Sequence, residues 1–203
     1  MPRRLGRAFF TRPSVEVAPE LLGKVLVHRT PEGEAAGRIV ECEAYAGPHD
    51  KAAHSFGGRR TARTAAMFLE GGHAYVFFLY GMHWAMNVVC AREGEPEAVL
   101  IRALEPVRGL DLMGHRRGLG PERRELANGP GKLCQALGIG RAQYGADLCA
   151  RDAALFLEDA PPLSMERIGR GPRINVAYAA EHAAWAWRFW ERGHPCVSVK
   201  PRD

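Results

Sequence analysis

The chain has 203 residues, 46% hydrophobic and 25% charged, proportions that exclude a disordered or collagen-like chain and support one sizeable core, so the expectation is a single domain over residues 1–203. Lys and Arg outnumber Asp and Glu by 28 to 23 and the pI is near 9.1, a balance that invites a nucleic-acid partner without establishing one. No apolar run approaches the ~20 residues of a membrane span, and the first ten residues lack the apolar stretch of a secretory signal, so the expectation is a cytoplasmic protein off the membrane. The positive excess gathers at Arg59, Arg60 and Arg63 and again at Arg116, Arg117, Arg123 and Arg124; such runs fit phosphate patches and solvated loops equally well. Five scattered cysteines, Cys42, Cys90, Cys134, Cys149 and Cys196, form no C-x-x-C pair and read as reduced, mostly buried thiols.

In chain order, residues 15–22 predict a helix stopped by Gly23, and residues 24–28 a strand followed by a turn at 31–33. A second strand is expected over 37–45, where a period of two puts Ile39, Glu41, Glu43 and Tyr45 on one face. Residues 47–72 read as a long Gly-, Ala-, Arg- and His-rich loop with a short helix at 64–69. The aromatic and β-branched runs 74–80 and 84–89 predict a hairpin with its tip near Gly81 and Met82, and a further strand follows at 98–102. Helices are expected over 107–117 and 131–137, then strands over 154–157, 174–177, 187–190 and 196–199. Without regular βαβ alternation, the pattern favours an α+β domain on a curved, largely antiparallel sheet with a protruding hairpin and surrounding helices.

Phosphate-loop, dinucleotide, H-E-x-x-H, G-x-S-x-G and zinc-deaminase motifs are all absent from the sequence, which removes those chemistries. Three features remain. The same-face carboxylates Glu41 and Glu43 beside Tyr45 offer a general base next to a stacking ring, or else a salt-bridged strand face. At the hairpin tip, Tyr80, Gly81, Met82, His83 and Trp84 offer bulky groups suited to wedging into a base stack, unless the aromatics fold back into the core. Asn87 and Arg102 are polar residues within apolar strands and are either satisfied core groups or part of a pocket.

The runs Ile39-Val40-Glu41-Cys42-Glu43-Ala44-Tyr45, His54-Ser55, Met67-Phe68, Tyr75-Val76, Tyr80-Gly81-Met82, Met86-Asn87, Val99-Leu100-Ile101-Arg102-Ala103-Leu104-Glu105-Pro106 and Asn128-Gly129-Pro130-Gly131-Lys132-Leu133-Cys134 resemble, in order and spacing, the alkyladenine (3-methyladenine) DNA glycosylase family over residues 21–139. The C-terminal third resembles it more loosely, at Pro172-Arg173-Ile174 and Trp187-Arg188-Phe189. The resemblance implies a monofunctional glycosylase that flips damaged purines from double-stranded DNA, working as a monomer near the nucleoid without metal or organic cofactor. It implies Glu43 as the base for water and Arg102 as its positioning partner. Tyr45, His54 and Phe77 would enclose the flipped base, and Asn87 would reject guanine by clashing with its exocyclic amine. Tyr80 would fill the gap in the duplex, flanked by Met82 and His83 on the DNA. Phe77 stands where the vertebrate branch of the family has Tyr, and Cys42 where Thr is common; Cys42 is expected to point away from the Glu43 face. His54 is a candidate donor of the proton a neutral leaving base needs, with a pocket water as the other. With no lysine expected beside Glu43, water is the nucleophile. The alternatives are a non-catalytic nucleic-acid-binding module and a hydrolase of free nucleosides, which would not need the hairpin wedge.

Overall fold

The alternation read over 37–45 extends into a thirteen-residue strand, β2 (Gly33–Tyr45), around which the rest of the sheet is arranged. The computed structural model describes residues 3–79 and 81–200. β1 (Val25–Thr30) pairs with the first half of β2, and β5 (Glu97–Arg108) follows its other edge from Ala36 to Tyr45. β8 (Arg188–Glu191) takes over the β1 edge beside Glu41, Cys42 and Glu43. β3 (Ala74–Leu79) and β4 (His83–Cys90) form the hairpin beyond β5. β6 (Leu155–Glu158) lies outside β1, and β7 (Ile168–Gly171) outside β8. Every pairing is antiparallel, and the sheet holds eight strands in the order β3-β4-β5-β2-β1-β6, with β8 and then β7 branching from β2. Strand twist and the register shifts between β2 and β5 bend the sheet, which curls into a half-barrel.

Helices α1 (Arg7–Phe10), α2 (Ser14–Leu21), α3 (Leu110–Arg117) and α4 (Pro130–Leu137) accompany the sheet. Leu21, Ile39, Cys42, Val99, Ile101 and Leu137 share one buried cluster, so the helices close the core against one face of β2 and β5. All five cysteines are free and four are buried; Cys42 lies in this core, donating to the Ala18 carbonyl at 3.1 Å.

Two facing bulges turn the polar residues of β2 and β5 toward the other side. Ile39 pairs with Leu104 and Glu41 with Ala103, which leaves Val40 as an extra residue; Cys42 then pairs with Ile101, which leaves Arg102 as an extra residue on β5. Each bulge reverses the alternation of its strand by one place. Consequently Ile39 does not share a face with Glu41, as strict alternation predicted: it packs in the core with Cys42 and Ala44. Arg102 is brought to the same side as Glu41 and Glu43.

The structure corrects one helix boundary, removes two expected strands and adds one. The helix expected over 107–117 begins only at Leu110, because β5 runs to Arg108. Gly109 makes the break with φ +70, where a Cβ would lie 2.2 Å from the Glu34 carbonyl oxygen, a position only glycine tolerates. The stretches 174–177 and 196–199 are turns, not strands. Their amides are committed elsewhere: the Ile174 N–H donates to Glu43 Oε1 at 2.7 Å and the Ser198 N–H to Glu41 Oε2 at 2.6 Å, so neither is available to a ladder. The short β7, with two glycines in four residues, carries no alternation from which to read it.

Candidate active site

Glu41 and Glu43 are both fully buried, yet their neighbours differ. Glu41 Oε1 accepts from Arg102 Nε at 3.0 Å and from Arg188 Nε at 2.7 Å, while Oε2 takes the Ser198 amide. Two guanidinium groups hold it, and the bland reading of a salt-bridged strand face is right for this residue. Glu43 accepts from the Ile174 N–H at Oε1, from the Tyr45 hydroxyl at Oε2 at 2.9 Å, and from Arg102 Nη1 at 3.4 Å. An ionised carboxylate offers about four lone-pair sites, so three donors leave one for another donor such as water. Burial raises the proton affinity of Glu43, opposed chiefly by the positive charge of Arg102. Burial and the Glu43 charge push the Tyr45 phenol well above its ordinary value, so Tyr45 stays protonated and is the donor.

Tyr45, Arg102 and Ile174, all three partners of Glu43, line a cleft of about 810 Å³. Glu43 therefore lies one layer beneath the cleft floor. The rim carries Arg59, Arg117, Lys51, Lys132 and His83. Lysines do line the cleft, then, but Lys132 is held by Asn128 Oδ1 at 2.8 Å and Lys51 by Glu181 at 2.7 Å, and neither bonds Glu43. The second arginine run is only partly available: Arg116 pairs with Glu32 and Arg123 with Glu125.

Beneath the cleft is an inner pocket of about 50 Å³ lined by Tyr45, His54, Met67, Tyr75, Phe77 and Asn87, among others. His54 meets Phe77 edge-on at 4.6 Å between ring centres, and its Nδ1 lies 2.8 Å from the Tyr75 hydroxyl. Asn87 donates to the Tyr75 carbonyl at 3.0 Å. Burial, with Arg63 nearby, lowers the His54 pKa to about 4. Burial therefore favours the neutral imidazole.

Four contributors escaped the sequence reading as site residues. Tyr75 fixes His54; Ile174 caps Glu43; Tyr178 lines both cavities. Arg173, paired with Asp50 with both side chains fully buried, sets its guanidinium 4.8 Å from the centre of the Tyr45 ring. The motif Pro172-Arg173-Ile174 was the available signal, but its partners lie more than 120 residues away. At the hairpin tip, Met82 is 69% exposed and His83 is exposed, while Trp84 is half-buried against Phe78 and the core. Tyr80, the expected wedge, lies outside the described residues.

The arrangement sets aromatic side chains beside a buried carboxylate under a basic cleft. A family profile described as methylpurine-DNA glycosylase (MPG) matches residues 8–195. The chain belongs to this family, whose members are DNA glycosylases. It is 49% identical over 196 residues to a Methanocella arvoryzae protein, covering 97% of this chain and 96% of the relative. It is 45% identical over 207 residues to one from Clostridium acetobutylicum, covering 98% and 100%. A Bacillus cereus protein is 47% identical over 202 residues, covering 95% and 98%. All three relatives bear the provisional name 3-methyladenine DNA glycosylase.

Proposed function

We propose that the protein, as a single-domain monomer in the cytoplasm, turns alkylated or deaminated purines out of duplex DNA into the inner pocket and hydrolyses their bond to the sugar. The substrates are the 3-methyladenine, 7-methylguanine, hypoxanthine and ethenoadenine class. The observation that carries this reading is Glu43, desolvated and held by three donors that are themselves the cleft floor. Water on the remaining acceptor site gives a proton to Glu43 as its oxygen bonds to C1′. The C1′–N bond breaks with its electron pair going to the base, and an abasic site remains. Arg102 holds the carboxylate in place. A purine alkylated at N3 or N7 is cationic, so it leaves without a proton, and aromatic walls bind it by stacking and cation–π attraction of about 1 kcal/mol or more each. Asn87, anchored on Tyr75, stands where the two-amino group of guanine would collide. Tyr80, with Met82 and His83, holds open the gap in the stack; unstacking is least costly at damaged or mispaired sites.

The test is single-turnover incubation with duplexes carrying one hypoxanthine or one alkylated purine, scored as alkali-labile abasic sites. Glu43→Gln should keep DNA binding and lose base release by about a hundredfold or more. Undiminished release in that variant removes Glu43 from the chemistry.

A further inference from the structure

We infer that Asp50 and Arg173, which line neither the cleft nor the inner pocket, are positioning residues for base release: together they clasp Tyr45 and set two of the three donors that hold Glu43. This rests on the base-release reading above. Both side chains are fully buried, and the guanidinium meets the carboxylate through both terminal nitrogens, Nη2 donating to Oδ1 at 2.9 Å and Nη1 to Oδ2. The same two groups grip the main chain on each side of Tyr45. Arg173 Nη1 donates to the Ala44 carbonyl at 2.9 Å, and Asp50 Oδ2 accepts from the Ala46 N–H at 3.2 Å. Between these anchors the Tyr45 ring lies 4.8 Å from the guanidinium, and its hydroxyl donates to Glu43 Oε2 at 2.9 Å.

Arg173 sets the other donor through its own backbone. Ile174 follows it directly, and the Ile174 N–H caps Glu43 Oε1 at 2.7 Å. Tyr45 is the last residue of β2 and Ile174 lies in a turn, so neither donor has a strand continuing beyond it to fix its direction. The buried pair supplies that constraint. Arg173 Nη2 also donates to the His182 carbonyl at 3.3 Å, so the terminal nitrogens make four bonds while Nε makes none. Among the described residues this Nε is the one buried side-chain nitrogen or oxygen without a hydrogen bond. A buried donor left so is costly, and the guanidinium keeps this orientation because its terminal nitrogens join Asp50, Ala44 and His182. Where the donors stand decides both how tightly Glu43 holds a proton and where its remaining acceptor site points. Arg102 and Glu41 are the other charged groups acting on Glu43, and neither bonds the pair.

The test uses the full chain with Arg173→Lys, which keeps the cation but cannot reproduce the planar fork, and Asp50→Glu, which keeps the carboxylate and moves it by one methylene. Both preserve every charge, so altered ionisation of Glu43 reports its donors and not a changed field. Val27→Ala, a core truncation in the cluster with Ala36 and Phe156, controls for lost stability alone. Release of 7-methylguanine from duplex DNA is followed across pH under single-turnover conditions, per folded molecule, with duplex affinity and a thermal melt for each variant. Arg173→Lys and Asp50→Glu should each lower the plateau rate about tenfold or more, where a misplacement of about 1 Å can cost about a hundredfold. The acid-limb midpoint should rise by about one pH unit, the scale of one hydrogen bond to a charged group. Duplex affinity should be unchanged. Val27→Ala should lower the melting temperature and move neither rate nor midpoint. Both changes are required: a folded Arg173→Lys or Asp50→Glu that lacks either one overturns the clasp and leaves the base-release reading standing. If one variant does not fold the other decides, and failure of both assigns the pair to the core and overturns the clasp as well. A wild-type protein that releases neither 7-methylguanine nor hypoxanthine overturns the base-release reading, and this one with it.

Discussion

Glu41 and Glu43 differ by two positions and point the same way, and their roles separate through their partners. Glu41 neutralises two buried guanidinium groups. Replacing it by Gln leaves Arg188 without its carboxylate and Arg102 with Glu43 alone, so Glu41→Gln should lower stability by about 3–5 kcal/mol, the usual cost of breaking a buried pair. Base release per folded molecule should fall far less than in Glu43→Gln; denaturant melts with single-turnover rates give both numbers, and a larger rate loss for Glu41→Gln reverses the assignment. Glu43 behaves in the opposite sense. Its folded pKa is raised by burial, so it binds its proton more tightly folded than unfolded. The associated stability is fully present below its unfolded pKa and is lost as pH rises through the folded value. Glu43→Gln, a mimic of the protonated form, should melt at or above the wild-type temperature at pH 7. Release of a cationic lesion, which needs ionised Glu43, should rise with pH to a plateau with its midpoint above the ordinary carboxylate range. Hypoxanthine, which also needs a proton, should give a bell-shaped profile. His54, at about 4, contributes neither limb above pH 5. Profiles of identical shape for the two lesions dismiss leaving-group protonation as the distinction.

Among the elements, the β3–β4 hairpin depends on α4 for its setting. A Cβ at Gly131 would lie 2.8 Å from His83 Cβ, too close for any rotamer of His83 to relieve. Gly131→Ala should therefore displace the His83 end of the hairpin, weakening duplex binding while Tm changes by only a few degrees; unchanged affinity means the hairpin's position does not matter to DNA. The hairpin was legible in the sequence as two aromatic, β-branched runs around Gly81. Its dependence on α4 was not, since Gly131 and His83 are 48 positions apart and a missing side chain leaves no pattern.

For the whole molecule, the net charge of +5 matters less than where the cations lie. Arg59, Arg117, Lys51 and Lys132 border one cleft, whereas Arg116 and Arg123 are turned to local carboxylates. Affinity for undamaged duplex should fall linearly in log–log form with salt. Arg59→Ala and Lys132→Ala should each reduce that slope by roughly one, and Arg123→Ala should leave it unchanged. A slope insensitive to all three places the duplex elsewhere. No helix among the described residues is long and apolar enough to cross a membrane.

The sequence by itself determined the α+β class, the hairpin and the α4 helix, because periodicity and turn residues are local properties of a chain; the set Glu43, Tyr45, His54, Asn87 and Arg102 was singled out by resemblance to a family and not by pattern. Only the tertiary structure decided what surrounds each carboxylate: Glu41 is held by two guanidinium groups, and Glu43 by three residues that line the cleft. Paired bulges at Val40 and Arg102 reset the alternation, and a bulge is specified by two strands together, not by either sequence. The same holds for the residues that complete the site. Ile174 and Arg173 look like strand and loop in sequence, and they become a cap and a brace because the curled sheet carries them to Glu43 and Asp50, where buried carboxylates require donors that the nearby chain cannot supply.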